Sequence, residues 1–476
     1  MINQLKKKYV DFDKKIVIIG FGCVAQGLLP LILKHINIPT ENIVIITADN
    51  LGVKLANEYN ISYNIDPLDE SNYSNLLKKY CCPGDMITNL SVCVDSIKII
   101  QYAQDNDLLY IDASLEFWDG VFDDETLSKS HRTNYYQRER MLEIKKKNNG
   151  KQKKTAVVTH GANPGLVEHF VKQALLNLAR DENIIKDESD LPTNLKQWAE
   201  LSNKLNIKII QIAERDTQQG NINKKKDEFV NTWSVDGFVE EMLQPSELGF
   251  GSHETYEKIE KHDFGCKSGV MLNNSGSNVQ VKSWTPLQGE QYGNIITHHE
   301  SIEIADLLTL KEENKVIYRP TVYYAYHPCD DAVLSMREVN EKNYKIQSNK
   351  RIMMDEIIDE GVDQLGVLLL GHKNNGYWFG STLSMGETRK LVPYNNATSL
   401  QVTISMLAGM IWAIKNPNQG LCEPLNLDHQ EILEICKPYL GEVKGYYTNW
   451  YPKENLWDKL SNKQNKWGIE NFILNP

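Results

Sequence analysis

Lys15-Ile-Val-Ile-Ile19-Gly20-Phe-Gly22-Cys-Val-Ala25-Gln-Gly27 is the stretch that decides the fold. Lys15–Ile19 is a short, β-branched apolar run of the kind that forms a buried parallel strand. Gln26–Lys34 carries helical apolar spacing, so GxGxxA lies between a strand and a helix. Gly20 permits the tight turn, Gly22 lets the backbone approach a pyrophosphate, and Ala25 keeps the helix close to the sheet. Cys23 and Val24 stand in this loop where smaller residues are common. The second strand, Asn42–Thr47, ends near Asp49. That carboxylate is placed to accept ribose hydroxyls and repel a 2′-phosphate, which favours NAD over NADP, and capping the next helix is its alternative use. Asp85–Ser91 and Leu108–Asp112 continue the strand–helix alternation of a doubly wound α/β sheet of Rossmann type. In that fold Asn89, Ser91, Asp112 and Ala113 stand at strand C-termini, facing the cofactor.

The 476 residues hold 52 Lys+Arg and 63 Asp+Glu, a formal charge of −11, with 41% apolar and 24% charged residues. That composition is globular, with chain enough for two or three domains. The acidic balance excludes nucleic acid and anionic membranes as main partners. The charged N-terminus has no signal-peptide core, and the longest weakly polar run, Val402–Ile414, is too short to span a bilayer. A cytoplasmic protein is expected. The eight cysteines form no CxxC pair, so free thiols are the expectation and a thiolate metal site is not. P-loop, HExxH and GxSxG motifs are absent.

Thr155–Thr159 is strand-like and runs into His160-Gly-Ala-Asn163-Pro164-Gly165, a turn that opens a helix near Leu166. Asn163 can reach a nicotinamide from this junction, or serve the turn alone. Residues 124–153 read as a surface helix with a basic tail, and 181–206 and 218–228 as polar surface connections. In the strand Ile207–Arg215, period two places Ile210, Ile212 and Glu214 on one face. A carboxylate there needs a partner, in a salt bridge or a functional site. If Trp233–Glu241 starts a helix, Trp233, Gly237, Glu240 and Glu241 cluster on one side. A Trp beside carboxylates receives an organic cation, and a core Trp with solvated acids is the other reading. His298, His299 and Glu300 lack a third ligand at metal spacing, so no metal is expected. Glu356, Glu360 and Asp363 form one helical stripe, ordinarily a solvated face.

The blocks Gly20–Gly27, Thr159–Phe170, Ile212–Gln218, Asn231–Glu241, Trp284–Pro286 and Ile296–Glu300 together resemble the bacterial homospermidine synthases of the saccharopine-dehydrogenase-like group. The resemblance runs in order along essentially the whole chain. It implies a tightly held NAD used as a prosthetic group. One putrescine is oxidised, a second attacks the resulting iminium, ammonia leaves, and the new imine is reduced by the same cofactor. Spermidine is implied as an alternative donor. The resemblance makes Glu214, Glu241, Glu300 and Asp363 candidates for holding ammonium groups and accepting protons, with Glu240 beside them. It sets Trp233 over the iminium, His298 as a proton shuttle, Asn163 at the nicotinamide or substrate, and Glu116 and Trp118 at the substrate entrance. Thr159 and Pro164, within the matching block, join the cofactor set. It also implies a Rossmann domain over 1–160 with a return segment near 395–420, here the apolar helix Ala397–Ile414. An α+β catalytic and dimerisation domain over 161–394 follows, with residues 421–476 as an extension, in a homodimer. Two alternatives stay open. One is a dehydrogenase of the same fold that releases reduced cofactor, which needs paired cations for a substrate carboxylate. The other is a non-catalytic NAD-binding regulator.

Overall fold

Ile16–Ile19 (β1) and Ile43–Thr47 (β2) are buried at every position, as strands covered on both faces must be. The computed structural model describes residues 5, 7–265, 267–452 and 465–474. The chain divides into two units. The first comprises 1–166, 232–237 and 385–441, and the second 167–231, 238–384 and 442–476.

In the first unit β1 and β2 join Ser62–Ile65 (β3), Met86–Asn89 (β4), Leu109–Asp112 (β5) and Ala156–Val157 (β6). Their order, (Leu421–Cys422)-β6-β5-β4-β1-β2-β3, reverses at β1, and every pairing is parallel. The switch point therefore falls beside the glycine turn, where this fold binds its ligands. The helix Cys23–His35 follows that turn. Asn395 approaches so closely that a Cβ on Gly27 would meet its side chain at 2.2 Å, and its Nδ2 donates to the Gly27 carbonyl at 3.3 Å.

The apolar run Val402–Ile414 lies within the helix expected over Ala397–Ile414. That helix runs from Ala397 to Lys415, capped by Asn396. By length and composition it could cross a membrane, yet 89% of its apolar window is buried inside the protein. Hydropathy marks it as the core of the first unit, where its apolar side chains are covered by the protein's own chain. The charged 124–153 segment also departs from expectation, because only Asn134–Lys147 is α-helical. It is not simply solvated, since Arg138 is buried and its Nε meets Glu423 Oε1 at 2.7 Å.

The second unit is built on Ile209–Asp216 (β7), Pro245–Gly249 (β8), Gly269–Ser275 (β9), Gln280–Thr285 (β10), Gly289–Ile296 (β11), Thr321–His327 (β12), Val362–Leu370 (β13), Gly376–Ser384 (β14) and Glu442–Thr448 (β15). Among the described residues these strands make one mixed sheet, in the order β9-β8-β12-β7-β13-β14-β15, with β11 on β12 and β10 on β11. β7 is central, parallel to β12 and antiparallel to β13. Within the polar 181–206 stretch the structure forms a helix, Leu195–Lys204, because Trp198, Ala199 and Leu201 give it a buried face. Arg351–Asp363 is not helical. Asn349–Ile352 is a strand, Arg351 pairs with Glu356 at 2.9 Å, Glu360 is exposed, and Asp363 lies buried on β13. The apolar run after Asp363 sets strand period there, overriding the acidic spacing.

Candidate active site

Gly20 has φ +80, and a Cβ there would lie 2.8 Å from the Ser91 backbone, so only glycine fits. A Cβ on Gly22 would meet no protein atom within 4 Å. The turn is thus closed by protein below Gly20 and open above Gly22, at the start of a helix with no side-chain cap. Unfilled N–H groups at a helix N-terminus suit a pyrophosphate, and these residues fit a dinucleotide. Cys23 begins that helix and Ala25 is buried in its first turn. Burial pushes the Cys23 thiol up to about 11, so it stays protonated and packs. Asp49 is exposed two residues beyond β2, and its Oδ1 accepts from Leu51 N–H at 2.9 Å. Its charge still opposes a 2′-phosphate. We expect NAD to bind at least about tenfold more tightly than NADP, and Asp49→Ala to narrow that gap. Fluorescence titration with both reduced cofactors checks this.

Asn89 and Asp112 lie at strand ends as expected, but they are engaged inside the protein. Tyr110 Oη donates to Asp112 Oδ2 at 2.6 Å, and Thr159 N–H donates to Oδ1 at 2.5 Å. Asn89 Nδ2 is 3.5 Å from Tyr110 Oη, and Ser91 N–H reaches Asn89 Oδ1 at 3.4 Å. Burial raises the Asp112 carboxyl to about 7 against these hydrogen bonds. This network anchors the loop that carries Asn163. Thr159 is left-handed at φ +54, His160 N–H bonds the Asp112 carbonyl, and Gly161 bridges Gly165. Ala113 packs against Gly161, and Asn163, half-buried, precedes Pro164 through a cis peptide. In the same unit Glu116 accepts from Ser114 Oγ at 2.6 Å, while Trp118 lies 5.8 Å from Tyr73.

The second unit gathers the acids. On β7 the alternation carries Glu214 and Asp216 on one face, and the register brings Tyr326 opposite Glu214 and Asp363 opposite Asp216. Tyr324 Oη donates to Glu214 Oε2 at 2.6 Å. His298 caps the helix His299–Leu307 with no side-chain cap bond, which leaves its imidazole for other partners. Its Nε2 lies 2.8 Å from Glu241 Oε2 and its Nδ1 lies 3.3 Å from Glu300 Oε1. Burial disfavours its charged form, but Glu241 and Glu300 outweigh burial and hold it well above the ordinary histidine range. Burial raises the Glu214 carboxyl to about 8. The Tyr324 hydrogen bond opposes this, Asp216 and Glu300 reinforce it, and His298 lowers it. Glu300 is fully buried, and its cationic neighbour here is the imidazole of His298, at 3.3 Å from Oε1. A buried carboxylate calls for such a cationic donor.

Trp233 sits in a bend ahead of the helix Val235–Leu243, not on it, because Ser234 Oγ caps that helix by accepting Gly237 N–H at 3.2 Å. The ring nevertheless covers Gly237, whose Cβ would lie 3.3 Å from Cζ3. Glu240 and Glu241 are successive on the helix and diverge by about 100°, and Glu241 is the one on His298. Asp216, Tyr324 and Tyr326 were missed in the sequence. Their available signal was the period-two tyrosines of Thr321–His327 and an acid two residues past Glu214. Among the described residues no cluster of metal ligands forms.

A dinucleotide turn in one unit and a buried carboxylate–imidazole cluster in the other define a nucleotide-linked enzyme acting on cations. Residues 16–157 match the Saccharopine dehydrogenase NADP binding domain, and 161–448 match the Saccharopine dehydrogenase C-terminal domain. The chain is 43% identical to the homospermidine synthase of Blastochloris viridis, over 98% of each chain. It is 41% identical to that of Mesorhizobium japonicum, over 100% of this chain and 99% of the relative. The crystal structure of homospermidine synthase from Legionella pneumophila in complex with NAD superposes with a TM-score of 0.90, at 41% identity over 99% of each chain. The chain belongs to the homospermidine synthase family.

Proposed function

We propose that the chain joins two putrescines into homospermidine, releasing ammonia with no net redox change, and that spermidine serves as an alternative donor. Membership of the family supports this. The observation that carries it is the buried acidic cluster in which one imidazole, His298, is shared between Glu241 and Glu300 beside Glu214. Acids that outnumber the one imidazole suit the ammonium groups of a diamine.

Bound NAD supplies hydride acceptance and return, held by the Gly20–Ala25 turn and by Asp49. Glu300 and Asp363 bind ammonium ends, while Glu214, raised by burial, accepts a proton from the amine that must become neutral before oxidation. His298, shared between two acids, holds a proton for the departing ammonia. Trp233 offers its ring to the iminium, and Asn163 orients the reacting group. The alternative dehydrogenase needs paired cations for a substrate carboxylate. Here Arg215 is turned by strand alternation to the face opposite Glu214, where it meets the Pro328 carbonyl at 3.1 Å and Asp330 at 3.3 Å. A homodimer and a cytoplasmic location belong to the same proposal.

Incubating the purified protein with putrescine and analysing products by mass spectrometry tests this reading. Homospermidine and ammonia are expected, with no accumulation of NADH. Stoichiometric NADH would instead assign a dehydrogenase.

A further inference from the structure

We propose that Tyr324 is a positioning residue for the reaction, whose hydroxyl orients the Glu214 carboxyl and whose ring backs the imidazole of His298. Three contacts carry this. The Tyr324 hydroxyl donates to Glu214 Oε2 at 2.6 Å. Its ring centroid lies 4.5 Å from that of His298, tilted by 41°. On its other side it stacks on Tyr326, at 4.9 Å and 19°. Tyr326 in turn takes the edge of Phe238 at 5.5 Å. The tyrosine pair arises because residues 324 and 326 share a face of β12. Packed rings on both sides fix the direction of the hydroxyl, so its proton points at Glu214 and not at solvent.

Tyr324 is 3% exposed and touches both halves of the network, Glu214 on the sheet and His298 ahead of its helix. The titratable groups around Glu214 are Asp216 on its own strand, Tyr324 and Tyr326 on β12, and His298 and Glu300 beyond the sheet, while Asp363 on β13 stands opposite Asp216. Gln291 adds a neutral contact, Nε2 to the Glu214 carbonyl at 3.3 Å. Burial most of all, with Asp216 and Glu300, pushes Glu214 towards its protonated form, and the Tyr324 hydroxyl and His298 push it back. A hydrogen bond to an ionised acceptor is stronger than the same bond to a neutral one, so the hydroxyl favours the ionised form of Glu214. A base that must be ionised to accept a proton therefore depends on that hydroxyl.

The test is Tyr324→Phe, which removes the hydroxyl and keeps the ring. The ascending limb of kcat/KM against pH should move up by about one unit while the high-pH plateau is retained. Tyr324→Leu, which also removes the ring behind His298, should lower the plateau as well. This kinetic readout rests on the polyamine reading, so a second measurement is made without turnover. The infrared carboxylic-acid band that disappears in Glu214→Gln reports the protonation of Glu214, and in Tyr324→Phe it should persist to higher pH. If parent protein makes no homospermidine, the polyamine reading fails and the band alone decides the role of Tyr324. A limb and a band that both stay in place in Tyr324→Phe overturn the inference.

Discussion

Glu214→Gln is expected to melt at a higher temperature than the parent above about pH 8, and to lose at least about a hundredfold in homospermidine formation. Burial, helped by Asp216 and Glu300, raises this carboxyl from an ordinary 4.5 to about 8. The folded protein therefore holds a proton that the unfolded chain has released. Its stability falls as pH rises from 4.5, and the loss is complete once pH passes the folded value. Glutamine has the same shape, carries no charge, and can still accept the Tyr324 hydroxyl. The substitution should stabilise the protein by about 2–4 kcal/mol near pH 8 and by almost nothing near pH 4.5. The accompanying loss of turnover follows because glutamine cannot take a proton from the amine. Calorimetry at pH 5 and pH 8.5, with product analysis on the same samples, measures both effects. Equal melting temperatures at the two pH values would show that Glu214 is not a strained carboxylate.

Such strain is ordinarily selected against, and its position on a central strand is what the proposed role of Glu214 rests on. The sequence carried half of that statement. Ile210, Ile212 and Glu214 have the period of one strand face, so the buried acid was legible from types and spacing alone. Its partners were not, because Tyr324 is 110 residues away and enters only through sheet pairing. The same limit explains Asp363. Acids at 356, 360 and 363 mimic a helical stripe, while Asp363 is placed by a strand register with Asp216. In the first unit the strand–glycine–helix order was readable because every element of it is local. The inward turn of Asp112 was not, since its partner Thr159 lies 47 residues on and adopts a left-handed conformation no propensity favours. Local periodicity thus yields elements and candidate residue types, and non-local pairing decides which polar groups serve the ligand and which brace the loops.

Trp233→Ala is expected to lower kcat about 30-fold while NAD binding is unchanged. A desolvated cation–π contact is worth roughly 2 kcal/mol, and it acts on rate only where it is stronger for the charged intermediate than for the bound amine. On the proposed reaction putrescine enters as a dication and passes through an iminium, and a ring over the reacting nitrogen would favour the later species once the amine has been deprotonated. Two features hold the ring in place. Ser234 starts the following helix immediately after Trp233, and Gly237 leaves room for Cζ3 where a Cβ would stand 3.3 Å away. Trp233→Phe keeps a smaller π face and should retain part of the rate. Gly237→Ala should give an intermediate loss, because its methyl group pushes on the ring without removing it. The decisive comparison is kcat against KM across the three variants. A graded fall in kcat with KM little changed assigns the ring to the intermediate. A rise in KM alone would place Trp233 in ground-state binding, and normal turnover in Trp233→Ala would remove it from the reaction.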